Sequence, residues 1–221
     1  MKTSLGIFIT LVTYLARMII TALIKFIGIA SLSKETKIIK DAVFGFSFFN
    51  TGCMYLLMNA DFAYLNIFFT GKYSDFNKQW YSDIGSVIIS SLMFTAVYPA
   101  LELMIFGGLN YLSRVIDQGL NCCYREKFPS TTKACSIFEY FNLYAGPVHL
   151  IHWKYSYINN VCAICFMFGP GIPVLFIIGL IAITVLEAVE RYSLAYYHRV
   201  PAKFDESLND IIVRDLHWPP I

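Results

Sequence analysis

The chain has 221 residues, 57% hydrophobic and 14% charged, with a formal net charge of +2. Soluble globular domains carry about 25% charged residues, so an ordinary soluble domain is a poor fit. A net charge this small, without a run of basic residues, argues against nucleic acid as a partner.

The first apolar stretch covers residues 5–30 and contains Arg17 and Lys25. It is too long and too interrupted for a cleavable secretory signal. A short charged link, Ser31 to Asp41, leads to the second stretch, 42–60. An aromatic-rich loop, Asp61 to Asp83, precedes the third, 84–111, which holds Pro99 and the pair Gly107–Gly108. A polar link follows, Leu112 to Lys154, and the fourth stretch is apolar from Tyr155 to Phe168, taken as 150–168 to reach spanning length. GPGIP, Gly169 to Pro173, reads as a tight turn into the fifth stretch, 172–197, and residues 201–221 as a polar tail. The sequence therefore predicts an all-α polytopic membrane protein, a bundle of about five transmembrane helices within residues 1–200.

Basic residues orient the bundle. Lys34, Lys37 and Lys40 sit in one link, and Arg114, Arg125, Lys127, Lys133 and Lys154 in another. Arg191, Arg199 and Lys203 close the chain, whereas the loop at 61–83 has only Lys72 and Lys78 against Asp61, Asp75 and Asp83. Placing the basic segments in the cytoplasm puts the amino terminus outside and the carboxyl terminus inside.

Polar residues inside apolar helices cost insertion energy and mark candidate sites. Ser91, Thr95, Tyr98 and Glu102 follow i, i+4, i+7, i+11 and share one face of the third span. That stripe reads as a pore wall, with Glu102 as the cation-attracting carboxylate, or as interhelical hydrogen-bond glue. Pro99, Gly107 and Gly108 permit a gating hinge in the same helix, although glycine and proline also serve packing alone. Asn50 and Thr51, with Ser47 nearby and Asn59 at the outer end, offer the opposite wall from the second span. Arg17 lies deep enough to want a partner, such as Glu102 or a lipid phosphate, whereas Lys25 snorkels to the interface. Glu187 and Arg191, beside Glu190, have the spacing of a helical ion pair at the interface; the sharper alternative is a cytoplasm-side calcium or cation site with Glu102.

Other motifs favour structural readings. Cys162 and Cys165 form a C-x-x-C within an apolar span, with no second ligand pair for zinc, and read as packing residues. Cys53 is also in a span, while Cys122, Cys123 and Cys135 fall in the basic link. His149 and His152 are three apart beside Trp153 and Lys154, with no acidic neighbour in sequence, and suit the interface better than a metal. No HExxH or GxSxG pattern occurs, so an enzyme is not expected.

Three segments carry a family resemblance. VFGFSFFNTGCMYLLMNADF (43–62), YSDFNKQWYSDIGSVIISSLMFTAVYPALE (73–102) and YSYINNVCAICFMFGPGIPVLFIIGLIAITVLEAVERYSLAYYHRVPAKFDESLND (155–210) resemble the seven-helix core of the OSCA-type hyperosmolality-gated calcium-permeable channels. More distantly they resemble the anoctamins and the TMC channels. The resemblance implies that the five spans match the fourth through eighth family helices, with the third span as the gating helix. Ser91, Thr95, Glu102, Gly107 and Gly108 match its functional region by position. The family's amino-terminal helices, large cytoplasmic domain and last two helices have no counterpart here, which predicts a fragment or a reduced form. A cation channel subunit gated by tension or osmotic stress is thus the leading expectation. It would be calcium-permeable, without a cofactor other than a permeant or regulatory calcium ion, and would assemble as a homodimer or with partner membrane subunits. A phospholipid scramblase and a non-conducting structural membrane subunit are the alternatives.

Overall fold

A computed structural model of the protein describes residues 2–29, 31–59, 73, 75–117 and 132–199. The chain is all-α, with six helices among the described residues. They are α1 (Lys2–Ile27), α2 (residues 32–59), α3 (Lys78–Asp117), α4 (Ile137–Tyr144), α5 (Ile151–Phe168) and α6 (Val174–Tyr196). Two helices contain a wide, π-helical turn, at Phe49–Cys53 in α2 and at Tyr81–Gly85 in α3. The loop 61–72, Cys122, Cys123, Arg125, Lys127, Lys203 and the tail 201–221 lie outside the described residues.

Local chemistry sets the ends of these helices. Gly28 has φ +71°, a left-handed conformation open to glycine, and its N–H bonds the Lys25 carbonyl at 3.2 Å to close α1. Ser136 Oγ accepts from the Glu139 N–H at 3.2 Å, while Glu139 Oε2 accepts from the Cys135 N–H at 3.1 Å. This reciprocal cap lets α4 form despite its two turns. At the GPGIP turn, the Gly169 N–H and the Ile172 N–H each reach a carbonyl of the last turn of α5 at 2.8 Å. The Pro173 carbonyl then accepts from the Phe176 N–H at 3.2 Å as α6 opens.

The segment 31–41, expected as a link, is instead the first part of α2. Thr36, Ile39, Lys40, Val43 and Ser47 are buried along one helical stripe. That apolar and small-residue periodicity outweighs the charges on the opposite face, and only the charges were visible to a composition reading. Likewise, α3 starts before residue 84 and ends beyond 111, and the expected polar link contains α4. Among the described residues one helix, α3, is long and apolar enough to cross a membrane. Its 40 residues correspond to roughly 60 Å, about twice the hydrocarbon thickness of a bilayer.

The chain divides into two compact units. The first comprises Met1–Ala96, Leu150–Ile183 and Phe204–Ile221; the second comprises Val97–His149 and Thr184–Lys203. Both apolar core clusters belong to the first unit. Ile84, Ile88, Leu92 and Ala96 recur every fourth residue of α3 and pack with Val161, Ile164, Cys165 and Phe168 of α5 and Leu175 and Ala182 of α6. A smaller cluster joins Ile24 of α1 to Ile39 and Val43 of α2. Facing away from these cores, Leu11, Leu15, Met18, Ile19 and Leu23 of α1 are exposed, as are Phe176, Ile177, Leu180 and Ile181 of α6.

Candidate functional site

The α3 stripe begins in the first unit with Ser91 and Thr95 and continues into the second with Tyr98 and Glu102, joined there by Pro99, Gly107 and Gly108. Ser91 is 1% exposed, on the same side of the helix as the core residues Ile88 and Leu92. Its hydroxyl oxygen has no hydrogen-bond partner among the described residues. Thr95 is half-buried and its hydroxyl donates to the Ser91 carbonyl at 2.9 Å. The Tyr157 hydroxyl of α5 donates to the Thr95 carbonyl at 2.8 Å. Tyr98 and Glu102 are half-buried, and Pro99 is buried. A β-carbon added at Gly107 or Gly108 would meet nothing within 4 Å, so tight packing does not account for this glycine pair.

Asn50 and Thr51 fall in the π-helical turn of α2, a distortion frequent at functional sites. The Asn50 amide donates to Thr13 Oγ1 of α1 at 2.9 Å, so this residue fastens α1 to α2. Thr51 is buried at 5% exposure and Ser47 at 6%.

A polar seam that the sequence reading passed over lies on α5. Ser156, Asn159 and Asn160 are all buried. Ser156 Oγ donates to the Lys40 carbonyl of α2 at 2.9 Å, which seats α5 against α2. Neither the Asn159 nor the Asn160 Oδ1 has a hydrogen-bond partner among the described residues. Thr95 of α3 meets Tyr157 of α5, and a β-carbon added at Gly85 would lie 3.3 Å from Ile172 in the GPGIP turn. Leu92 and Val161, the sequence neighbours of Ser91 and Asn160, belong to one core cluster of the first unit. The i, i+3, i+4 spacing of Ser156, Asn159 and Asn160 was the available signal, hidden within an otherwise apolar run.

Basic and acidic groups find local partners. The Arg17 guanidinium lies over the Trp153 ring, 4.9 Å from its centroid, and 5.2 Å from that of Tyr14. Trp153 Nε1 in turn donates to Thr21 Oγ1 at 3.0 Å, holding the indole under the cation. Lys40, counted as a loop charge, is buried, with its ammonium 2.9 Å from Asp41. Glu187 and Arg191 form the expected ion pair at 2.6 Å, largely in solvent. Glu190 comes within 3.5 Å of His149, an acidic neighbour distant in sequence. The His149 ring is edge-on to His198, with centroids 5.1 Å apart, whereas buried His152 belongs to the first unit and meets Trp153 edge-on. Among the described residues no group of three or more His, Cys, Asp or Glu side chains is placed to hold a metal ion. Cys165 Sγ donates to the Leu175 carbonyl at 3.3 Å and would sit only 2.5 Å from a β-carbon at Gly179. The second half of the C-x-x-C is thus a close α5–α6 packing contact.

At the end of α3, Arg114 donates through Nε to the Leu143 carbonyl at 3.1 Å and through Nη2 to the Tyr144 carbonyl at 3.2 Å. The Tyr144 hydroxyl and the Lys133 N–H donate to Asp117, at 2.8 and 2.9 Å. Burial pushes the Asp117 carboxyl upward. Hydrogen bonds from Tyr144, Thr132 and the Lys133 backbone, with the Lys133 charge, outweigh it and hold the group below the ordinary carboxylate value.

Comparison with known proteins finds no matching family model, no matching curated protein and no matching solved structure.

Proposed function

We propose that the chain is a membrane-embedded subunit that conducts cations along the polar seam of α3 and α5. The observation that carries this reading is the set of buried oxygens without a protein donor: Ser91 Oγ, Asn159 Oδ1 and Asn160 Oδ1. A buried acceptor left unmade costs about 1–3 kcal/mol. Buried hydroxyl and amide oxygens are the chemistry that replaces part of a cation's water shell. Membrane residence is supported by the length of α3 and by the exposed apolar faces of α1 and α6, since water-soluble monomers rarely expose such patches. On this reading the bundle has five spans, with the amino terminus outside and the carboxyl terminus cytoplasmic. Calcium permeability, opening by tension or osmotic stress and assembly as a homodimer follow only from the resemblance to the OSCA-type channels.

The test is cation flux through the purified chain reconstituted in liposomes, measured under osmotic stretch for the parent and for Asn159→Leu and Asn160→Leu. Flux in the parent that either leucine abolishes, with folding preserved, is the expected result. Flux unchanged by both, or none in the inserted parent, overturns the conducting role.

A second reading, a non-conducting structural membrane subunit, is favoured by the hydrogen bonds already made by Asn50 and Thr95. These are the interhelical and local bonds that hold membrane bundles together. Parent liposomes without flux, but with all helices protected from hydrogen exchange, would select it.

A further inference from the structure

A proline inside a helix lacks an N–H, and the carbonyl four residues earlier loses its partner. For Pro99 in α3 that carbonyl belongs to Thr95. Its oxygen accepts instead from the Tyr157 hydroxyl, 2.8 Å away on α5. Thr95 also donates its own hydroxyl back to the Ser91 carbonyl at 2.9 Å, a bond that tends to bend helices. Two features that disturb a helix thus fall together, and one side chain from another helix closes the gap.

We propose that Tyr157 is a clip: its hydroxyl substitutes for the N–H that Pro99 lacks and restrains the turn of α3 that ends at Pro99. The bond has two states, made and released. When it is released, the half-buried Thr95 carbonyl is left with an unmade bond, which is costly, so another donor must reach it. Water is the donor of the right size, which ties release of the clip to hydration one turn from Ser91. As a control on permeation the clip rests on the conducting role proposed above. As a restraint on α3 it does not.

A double-mutant cycle read by hydrogen exchange tests it, using the full chain in lipid nanodiscs and the α3 amides at 96–103. Tyr157→Phe keeps the ring and removes the donor. Pro99→Ala restores an N–H, which takes back the Thr95 carbonyl and makes the phenol redundant. Tyr157→Phe should speed exchange at these amides about tenfold in the parent. In the Pro99→Ala background the same change should be less than about twofold. Unchanged exchange in Tyr157→Phe, or equal acceleration in both backgrounds, overturns the proposal. Spin labels at Met93→Cys and Met104→Cys, both exposed on α3, give an independent reading. Their distance distribution should broaden with Tyr157→Phe and narrow again when Pro99→Ala is added. No change in that distribution also counts against the clip. Flux is measured separately: a parent that conducts nothing sinks the conducting role, while the exchange cycle still decides the clip.

Discussion

The first compact unit is held by apolar packing and the second by polar ties. In the first, α3, α5 and α6 bury a continuous run of aliphatic side chains, and polar groups such as Asn159 and Asn160 ride within it. In the second, Arg114 and Asp117 bind the segment 132–144 through hydrogen bonds, and His149 meets Glu190. Apolar packing carries no titrating group, and its density holds even unsatisfied oxygens in place. Polar ties depend on protonation and geometry, and each is lost singly. A site that must tolerate unpartnered oxygens is better placed in the first unit, and an element that responds to conditions in the second.

The largest test of this contrast is Leu92→Ala, at a site 1% exposed. It should remove about 2–5 kcal/mol, read as lost exchange protection in residues 84–96 and 151–168. Protection lost to the same degree at residues 132–144 would break the distinction between the units.

Asp117→Ala comes next, because it leaves the Tyr144 hydroxyl and the Lys133 N–H without their acceptor. A loss of about 1–3 kcal/mol is expected, confined to amides at 132–144. Acid should mimic it. The folded Asp117 carboxyl lies below its ordinary value, so its contribution is complete above about pH 4 and fades as pH falls through the folded value. Protection at 132–144 should therefore drop as pH falls below the ordinary carboxylate value, and Asp117→Asn should flatten that step.

Gly108→Ala sharpens the comparison from the other direction. The new methyl meets nothing within 4 Å, so α3 should gain about 1 kcal/mol from propensity alone. If α3 bends at this point during flux, a more stable protein will conduct less; equal flux removes the hinge role from Gly107 and Gly108. The smallest effect belongs to Glu187→Ala. Its ion pair with Arg191 is 59% and 80% exposed, and unfolding should shift by less than about 0.5 kcal/mol.

Much of the helical order was legible. The runs at 5–30, 150–168 and 172–197 became α1, α5 and α6 with end shifts of up to three residues, and 84–111 became α3 with six more at each end, because long apolar runs broken by Gly28 and GPGIP leave few alternatives. The ion pair of Glu187 with Arg191 was legible for the same reason, since i, i+4 spacing on a helix is local geometry. The first part of α2 was not, because Lys34, Glu35, Lys37 and Lys40 mask the stripe through Thr36, Ile39 and Val43.

The sequence by itself determined that the chain is helical and apolar, and that Pro99 deprives Thr95 of a backbone partner, because these follow from composition and from bonds within one helix. Only the tertiary structure decided that Asn50 binds Thr13, that Arg17 lies on Trp153, that Glu190 approaches His149 and that Tyr157 reaches the Thr95 carbonyl. Those pairings join residues between 37 and 136 positions apart, and no local periodicity encodes which helix faces which. Side chains of different helices meet only once packing has chosen the neighbours, and that choice rests on the summed fit of many weak contacts.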